Sequence, residues 1–137
     1  MANVIKNFVV KHRQERYLVM LTKPNPSGGY GFGQLAHFTQ ELDLRFCKQI
    51  PGALRNVASV LKEINSLTQT LECYVMHERN ALDGNWMSIE EGLDKVLGQN
   101  EGAFIIIDNG EIIYHESENI KGRYIGVRRP HQQKQPV

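Results

Sequence analysis

The chain has 137 residues, of which 41% are hydrophobic, 23% charged and 8% aromatic. This composition is too apolar for a disordered segment, and no apolar run reaches the roughly 20 residues that a membrane-spanning helix needs. A formal net charge of +1 argues, taken alone, against a basic nucleic-acid binder and against an acidic mimic. We therefore expect a folded, soluble protein with no membrane partner.

The N-terminal third contains two apolar segments, at residues 4–10 and 17–22, separated by a polar patch. Their β-branched content predicts a β-hairpin. Two prolines and four glycines at residues 23–33 predict a loop. Residues 34–47 fit both a helical stripe and a strand, and we favour a strand for the second half.

The middle of the chain carries the clearest helical pattern, at residues 51–66, where Pro51 suits the first turn. A strand is predicted at residues 71–76. A second helix is predicted from Ser88, which has capping-box spacing to Glu91. We interpret Trp86 as a hydrophobic staple at the entrance of this helix.

A hairpin is predicted at residues 103–107 and 111–115, joined by Asn109 and Gly110 in a type I′ turn, and a last strand at residues 123–127. The element order predicts an α+β fold, with a mostly antiparallel β-sheet and two helices packed on one face. We expect a single α+β domain over residues 1–129 and a disordered tail over residues 130–137.

Cys47 and Cys73 lie 26 residues apart without a neighbouring cysteine, so neither a disulfide framework nor a structural zinc site is predicted. The first residues show no secretory signal pattern. Buried free thiols suit a reducing compartment, and we expect a cytoplasmic protein.

The net charge hides an uneven distribution. Residues 1–23 carry +4, residues 24–120 carry −8 and residues 121–137 carry +5. If the first hairpin and the last strand are neighbours, their arginines form one basic surface with an aromatic ring beside it, which suits nucleic acid or an acidic protein. The alternative is that edge strands carry basic residues to prevent aggregation. The predicted partner-binding residues of this surface are Arg13, Arg16, Arg123, Tyr124, Arg128 and Arg129.

The glycine-rich segment from Ser27 to Gly33 lacks the Lys-Ser/Thr of a P-loop and does not give GxGxxG spacing. We interpret it as an aromatic loop whose Tyr30 and Phe32 contact a partner or cover a pocket. The alternative is that both rings pack against the core and the glycines permit the turn.

Two predicted strands end in the same dipeptide, His77-Glu78 and His115-Glu116. A histidine beside a carboxylate can act as a general base or bind a metal. Sequential residues of a strand point to opposite faces, however, and no HExxH spacing is present, so no metal site is predicted. The alternative is that these are polar residues where strands meet solvent.

These patterns favour a small non-catalytic binding or regulatory protein that engages an acidic macromolecule through the basic surface and the aromatic loop. One alternative is a small hydrolase or isomerase that uses His77 or His115 with Glu78 or Glu116. Another is a sheet wrapped round a small apolar ligand. No cofactor is predicted, and the sequence is compatible with a homodimer through an exposed sheet edge.

Overall fold

The computed structural model describes residues 2–21, 39–79, 81–119 and 122–129. Its main helices are α1 (Ala2–Phe8), α2 (Lys11–Leu21), α3 (Val57–Leu67) and α4 (Ile89–Val96). Its strands are β1 (Cys47–Gln49), β2 (Glu72–His77), β3 (Asn85–Ser88), β4 (Ala103–Ile107), β5 (Ile112–Glu116) and β6 (Arg123–Val127). The strands form one six-stranded sheet in the order β1-β6-β5-β4-β2-β3, with antiparallel pairing throughout. The predicted α+β class and antiparallel sheet are confirmed.

Helices cover both faces of this sheet. On the α3–α4 face, Val75, Ile105 and Tyr114 pack with Ile64 of α3 and Leu93 of α4. The opposite face, which we call the α1 face, is covered by buried residues of α1. Its central side chains are Val4, Ile5 and Phe8 of α1 with Met76, Phe104 and Ile113 of the sheet. The two helices predicted to share one face do so, and the N-terminal segment adds a further layer.

The predicted start of α4 at Ser88 is confirmed. The Ser88 hydroxyl accepts a hydrogen bond from the Glu91 backbone N–H at 3.1 Å, which satisfies a donor left free at the helix start. Gly92 lies so close to β2 that a Cβ atom would stand 2.9 Å from Cys73 Sγ. The helix ends before Gly98, whose φ of +87° is easily reached only by glycine.

The central hairpin also matches its prediction. Asn109 and Gly110 have φ values of 56° and 86°, as a type I′ turn requires, and Glu111 N–H donates to the Asp108 carbonyl at 3.1 Å. Ile107 consequently pairs with Ile112, and β4 and β5 occupy the centre of the sheet.

The predicted N-terminal hairpin is wrong, because residues 2–21 form the helices α1 and α2. Val4, Ile5 and Phe8 are all buried, with exposed fractions of 1%, 1% and 0%. Two adjacent buried residues cannot share one face of a strand, whereas the spacing 4, 5 and 8 forms one face of a helix. The burial pattern therefore favours the helix over the β-branched composition.

Two boundaries also differ from prediction. The helix expected at residues 51–66 begins at Val57, because the Asn56 side chain caps it by accepting the Ser59 N–H at 2.8 Å. The strand expected before residue 47 is confined to β1, since Leu44–Phe46 forms a 3-10 turn. The predicted loop at residues 23–33 and tail at residues 130–137 lie outside the described residues, so the domain bounds stay a prediction.

Candidate functional site

His115 is fully buried, and its two ring nitrogens are both used inside the fold. Nδ1 lies 3.0 Å from the Ala103 carbonyl, which can only accept, so Nδ1 carries the proton. Nε2 then accepts a hydrogen bond from the Thr39 hydroxyl at 2.5 Å. The ring stacks on Phe104 with 4.3 Å between centroids. Burial lowers the pKa of His115 to about 4, so this imidazole is neutral near pH 7.

Glu116 is equally buried, and its carboxylate accepts hydrogen bonds from the loop that follows α4. Oε1 accepts from the Gly98 N–H at 2.9 Å and Oε2 from the Asn100 N–H at 2.8 Å. The Tyr114 hydroxyl donates to Oε1 at 2.7 Å, and Arg123 Nε lies 3.4 Å from the same atom. Glu116 therefore fixes the loop to the sheet, and each of its oxygens already has a partner.

His77 differs from His115 because one of its nitrogens has no partner among the described residues. Nδ1 accepts a hydrogen bond from the Arg79 backbone N–H at 2.9 Å, while Nε2 is buried and unpaired in this part of the chain. Burial lowers the pKa of His77, although the nearby Glu101 carboxylate acts in the opposite direction. Glu78 next to it accepts a hydrogen bond from the Gly102 N–H.

The predicted meeting of the two His-Glu pairs does not occur, because β4 lies between β2 and β5. His77 aligns with Ala103, which aligns with Glu116, so these residues share the α3–α4 face. His115 is one residue earlier in β5 and therefore points to the α1 face. Within the described ranges, no group of three or more His, Cys, Asp or Glu side chains lies close enough to hold a metal ion.

The predicted basic surface is largely used inside the fold. Arg123 is buried, with 6% exposed, and lies on the α3–α4 face beside Glu116. Arg128 stacks its guanidinium 4.1 Å from the Phe46 ring centroid and donates to the Asn7 carbonyl of α1 at 3.0 Å. Arg129 pairs with Asp108 at 2.8 Å. These three arginines thus stabilise the protein's own contacts.

The other predicted binding residues are spread over different elements. Tyr124 is half-buried on β6, where it pairs with Gln49 and with His115. Arg13 of α2 lies 3.5 Å from the Glu41 carboxylate, whereas Arg16 on the same helix is exposed. Tyr30 and Phe32 lie outside the described residues.

A group of aromatic and polar side chains lies at the β3 edge of the sheet, on the α1 face. A cleft of about 490 Å³ opens there, next to Asn3 near the start of α1. Ile106 lies in its sheet wall, Tyr74 and Trp86 form an aromatic wall, and Glu72, Asp108 and Asn3 supply polar groups. Clefts of this size hold small ligands and single side chains in many proteins. We name it the Trp86 cleft.

Trp86 is 69% exposed, which is unusual for the largest side chain of a folded protein. It lies opposite Tyr74 in the β2–β3 ladder, and the two rings meet edge to face with centroids 5.3 Å apart. The prediction that Trp86 is a staple against the first turn of α4 is wrong. Because β3 is an edge strand, the indole has a neighbour on one side and solvent on the other.

The Trp86 cleft is acidic, but its two carboxylates differ. Asp108 accepts hydrogen bonds from the hydroxyls of Thr68 and Thr70 and pairs with Arg129. Burial opposes its ionisation, yet these donors together hold the pKa of Asp108 below its usual value. Glu72 is exposed at the start of β2, on the same face as Tyr74. Asp108 is thus occupied within the fold, and Glu72 faces solvent.

Sequence reasoning missed this cleft. The alternation of Glu72, Tyr74 and Met76 in the predicted strand already placed an acid and an aromatic ring on one face. The strand β3 is not predicted from the sequence, because the polar residues before it indicate a turn. This short strand pairs with β2 and so places Trp86 opposite Tyr74.

No protein-family model matches the chain, and comparisons with curated proteins and with solved structures find no match either. In the described part of the chain, no helix has the length and apolar character needed to cross a membrane.

Proposed function

We propose that the protein is a non-catalytic binding protein that holds a cationic group of its ligand in the Trp86 cleft. The observation that carries this proposal is the exposed indole of Trp86, held edge to face against Tyr74 in the wall of a cleft that also contains Glu72. An exposed indole next to a half-buried tyrosine ring and a solvent-facing carboxylate is a suitable environment for an ammonium or guanidinium group.

The charge around the cleft supports a cationic ligand. Residues 68–101 carry seven acidic and two basic residues. Both basic residues are paired, Arg79 with Glu101 at 2.8 Å and Lys95 with Glu91 at 3.1 Å. At the cleft itself Glu72 is exposed and none of the other lining residues that the structure describes is basic, so the open charge beside Trp86 is negative and attracts cations.

The environment of the predicted catalytic groups favours binding over the alternative of a hydrolase or isomerase. A general base needs a free lone pair that can reach a substrate. Both nitrogens of His115 are engaged, and both carboxylate oxygens of Glu116 accept backbone hydrogen bonds. His77 accepts a hydrogen bond at Nδ1, so its buried Nε2 carries the proton of the neutral ring and offers no lone pair. The Trp86 cleft contains none of these groups.

The proposal is tested by titrating the protein with N-acetyl-arginine amide while recording the fluorescence of Trp86, the single tryptophan of the chain. We expect a saturable change that the neutral citrulline analogue does not produce. Glu72→Gln should weaken binding about threefold to fivefold, as expected for an exposed ion pair. Glu118→Gln, an exposed change on the β5–β6 connection, should leave it unchanged. An equal response to arginine and citrulline would contradict a cation site.

An acidic macromolecule remains a second candidate ligand, because Lys11, His12 and Arg16 are all exposed on α2. The basic surface proposed here is therefore helical. We expect Arg16→Glu to lower the salt concentration at which the protein elutes from immobilised heparin, with Lys62→Glu on α3 as a control of equal charge change. Equal shifts for both variants would mean that only overall charge matters, and this second candidate would then be rejected.

We also propose a cytoplasmic location. Burial, assisted by nearby carboxylates, raises the pKa of Cys47 to about 12 and that of Cys73 to about 11. Both thiols are free and stay protonated at neutral pH, which suits a reducing compartment. A homodimer through a sheet edge stays a prediction, and sedimentation equilibrium tests it directly.

A further inference from the structure

We propose that the outer edge of β3 receives an extended segment of a partner polypeptide as an added antiparallel strand, with a basic side chain of that segment entering the Trp86 cleft. This inference rests on the proposed function and names the class of partner. It depends on three observations: the free backbone groups of β3, the register of its side chains, and the charge of its surroundings.

The backbone N–H and C=O groups of Trp86 point away from β2, towards the open edge of the sheet. Ile89 N–H donates to the Leu71 carbonyl and Gly84 N–H to the Val75 carbonyl, so the odd-numbered residues of β2 turn their backbone groups towards β3. Hydrogen-bonded pairs alternate along an antiparallel ladder. Cys73 and Met87 therefore form a bonded pair, and the N–H and C=O of Trp86 face outwards. Within the described ranges no strand covers this edge.

Little in β3 protects that edge. Natural edge strands are often blocked by lysine, by proline or by a bulge. The four residues of β3, Asn-Trp-Met-Ser, include no charged residue and no proline. The shortness of the strand limits aggregation, but it leaves one residue, Trp86, that offers an outward donor and an outward acceptor beside an exposed ring.

The register of an added strand directs side chains into the cleft. Residues paired across a ladder share a face of the sheet, so a residue opposite Trp86 lies in the row of Tyr74 and Trp86 on the α1 face. A residue two positions along lies opposite Ser88, in the row that contains Glu72. A segment with an apolar residue in the first position and arginine or lysine in the second therefore fits both groups.

Charge complementarity selects a basic partner in preference to a second copy of this chain. Pairing β3 with β3 of a second copy would place the uncharged segment Asn-Trp-Met-Ser next to the cleft and would supply no counter-charge to Glu72. A basic extended segment supplies the charge of opposite sign to this exposed carboxylate.

The test uses a capped six-residue peptide, Thr-Arg-Thr-Val-Thr-Thr, in which arginine and valine lie two positions apart and therefore on one face, and the same peptide N-methylated at the amides that face β3. We expect the first peptide to bind and to slow the hydrogen exchange of the Trp86 backbone amide at least fivefold. The N-methylated peptide should bind at least tenfold more weakly, because it cannot form the backbone hydrogen bonds. A peptide with citrulline in place of arginine should bind more weakly than the first.

The outcomes separate this inference from the proposed function. Equal binding of the methylated and unmethylated peptides, with both weakened by Glu72→Gln, would overturn strand addition and leave the cation site standing. Protection of the Trp86 amide that is equal for arginine and citrulline peptides would support strand addition and overturn the cation site. Protection that depends on protein concentration without peptide, together with a dimer in sedimentation, would overturn the basic partner in favour of a second copy.

Discussion

Glu116 links three parts of the molecule through one side chain. Its carboxylate accepts hydrogen bonds from two backbone N–H groups of the loop after α4 and from the Tyr114 hydroxyl, and it forms an ion pair with the Arg123 guanidinium. Arg123 in turn donates to the Asn100 side chain at 2.8 Å, so both charged partners contact the same loop. The loss of either partner of such a buried ion pair lowers the stability of the protein strongly, because the remaining charge is buried without a counter-charge.

We predict that Glu116→Gln destabilises the protein by about 3 kcal/mol, because the amide leaves Arg123 buried without a counter-charge and places an NH2 group against a backbone N–H. Urea unfolding followed by far-ultraviolet circular dichroism measures the loss. The matched change Glu118→Gln, on an exposed neighbour, should stay within about 0.5 kcal/mol of the parent. A loss below about 1 kcal/mol for Glu116→Gln would show that the ion pair is not important to stability.

At the scale of elements, local signals predicted those parts of the fold whose partners are close in sequence. The Ser88 cap and the Asn109-Gly110 turn each depend on residues within three positions, and both are found as expected. The N-terminal segment was misread because its β-branched residues favour a strand, while burial against the distant Phe104 and Ile113 decides for α1.

The candidate site was hidden for the same reason. Trp86 and Tyr74 are neighbours only because β3 pairs with β2, and Ile106 joins them because β4 follows on the other side of β2. The His-Glu dipeptides suggest catalytic groups in the sequence. In the structure Glu116 accepts hydrogen bonds from the backbone amides of residues 98 and 100, and no sequence motif indicates these partners. Tertiary contacts decide which polar groups are hydrogen-bonded inside the fold, and these contacts are not visible in a local sequence pattern.

At the scale of the whole molecule, two helical layers enclose the sheet and remove both histidines of β2 and β5 from water. His77 is 4% exposed and His115 is 0% exposed. Burial penalises the charged imidazolium and lowers the pKa of each. Protonation of either histidine therefore opposes folding.

We predict that stability falls as the pH is lowered from about 6.5 to about 4. In this window the unfolded chain binds a proton at His115 that the folded chain, with its pKa of about 4, does not bind, so acid favours unfolding. The loss from His115 amounts to about 3 kcal/mol, and His77 adds a change of the same sign. Urea unfolding at several pH values measures it.

Two controls accompany the pH series. His12 is exposed on α2, and His12→Gln should leave the slope of stability against pH unchanged. An NMR titration of the His115 ring should show a neutral imidazole at pH 5. A protonated ring at that pH, or a stability that is constant from pH 7 to pH 4, would contradict the prediction.

The exposed position of Trp86 has a practical consequence for the spectroscopy of this protein. Its indole already faces solvent in the native state, so unfolding changes its surroundings little and tryptophan emission is a poor monitor of folding. The backbone signal of circular dichroism follows folding independently of that ring. One sample therefore offers two separate optical signals, one that reports whether the chain is folded and one that reports whether the edge of its sheet is occupied.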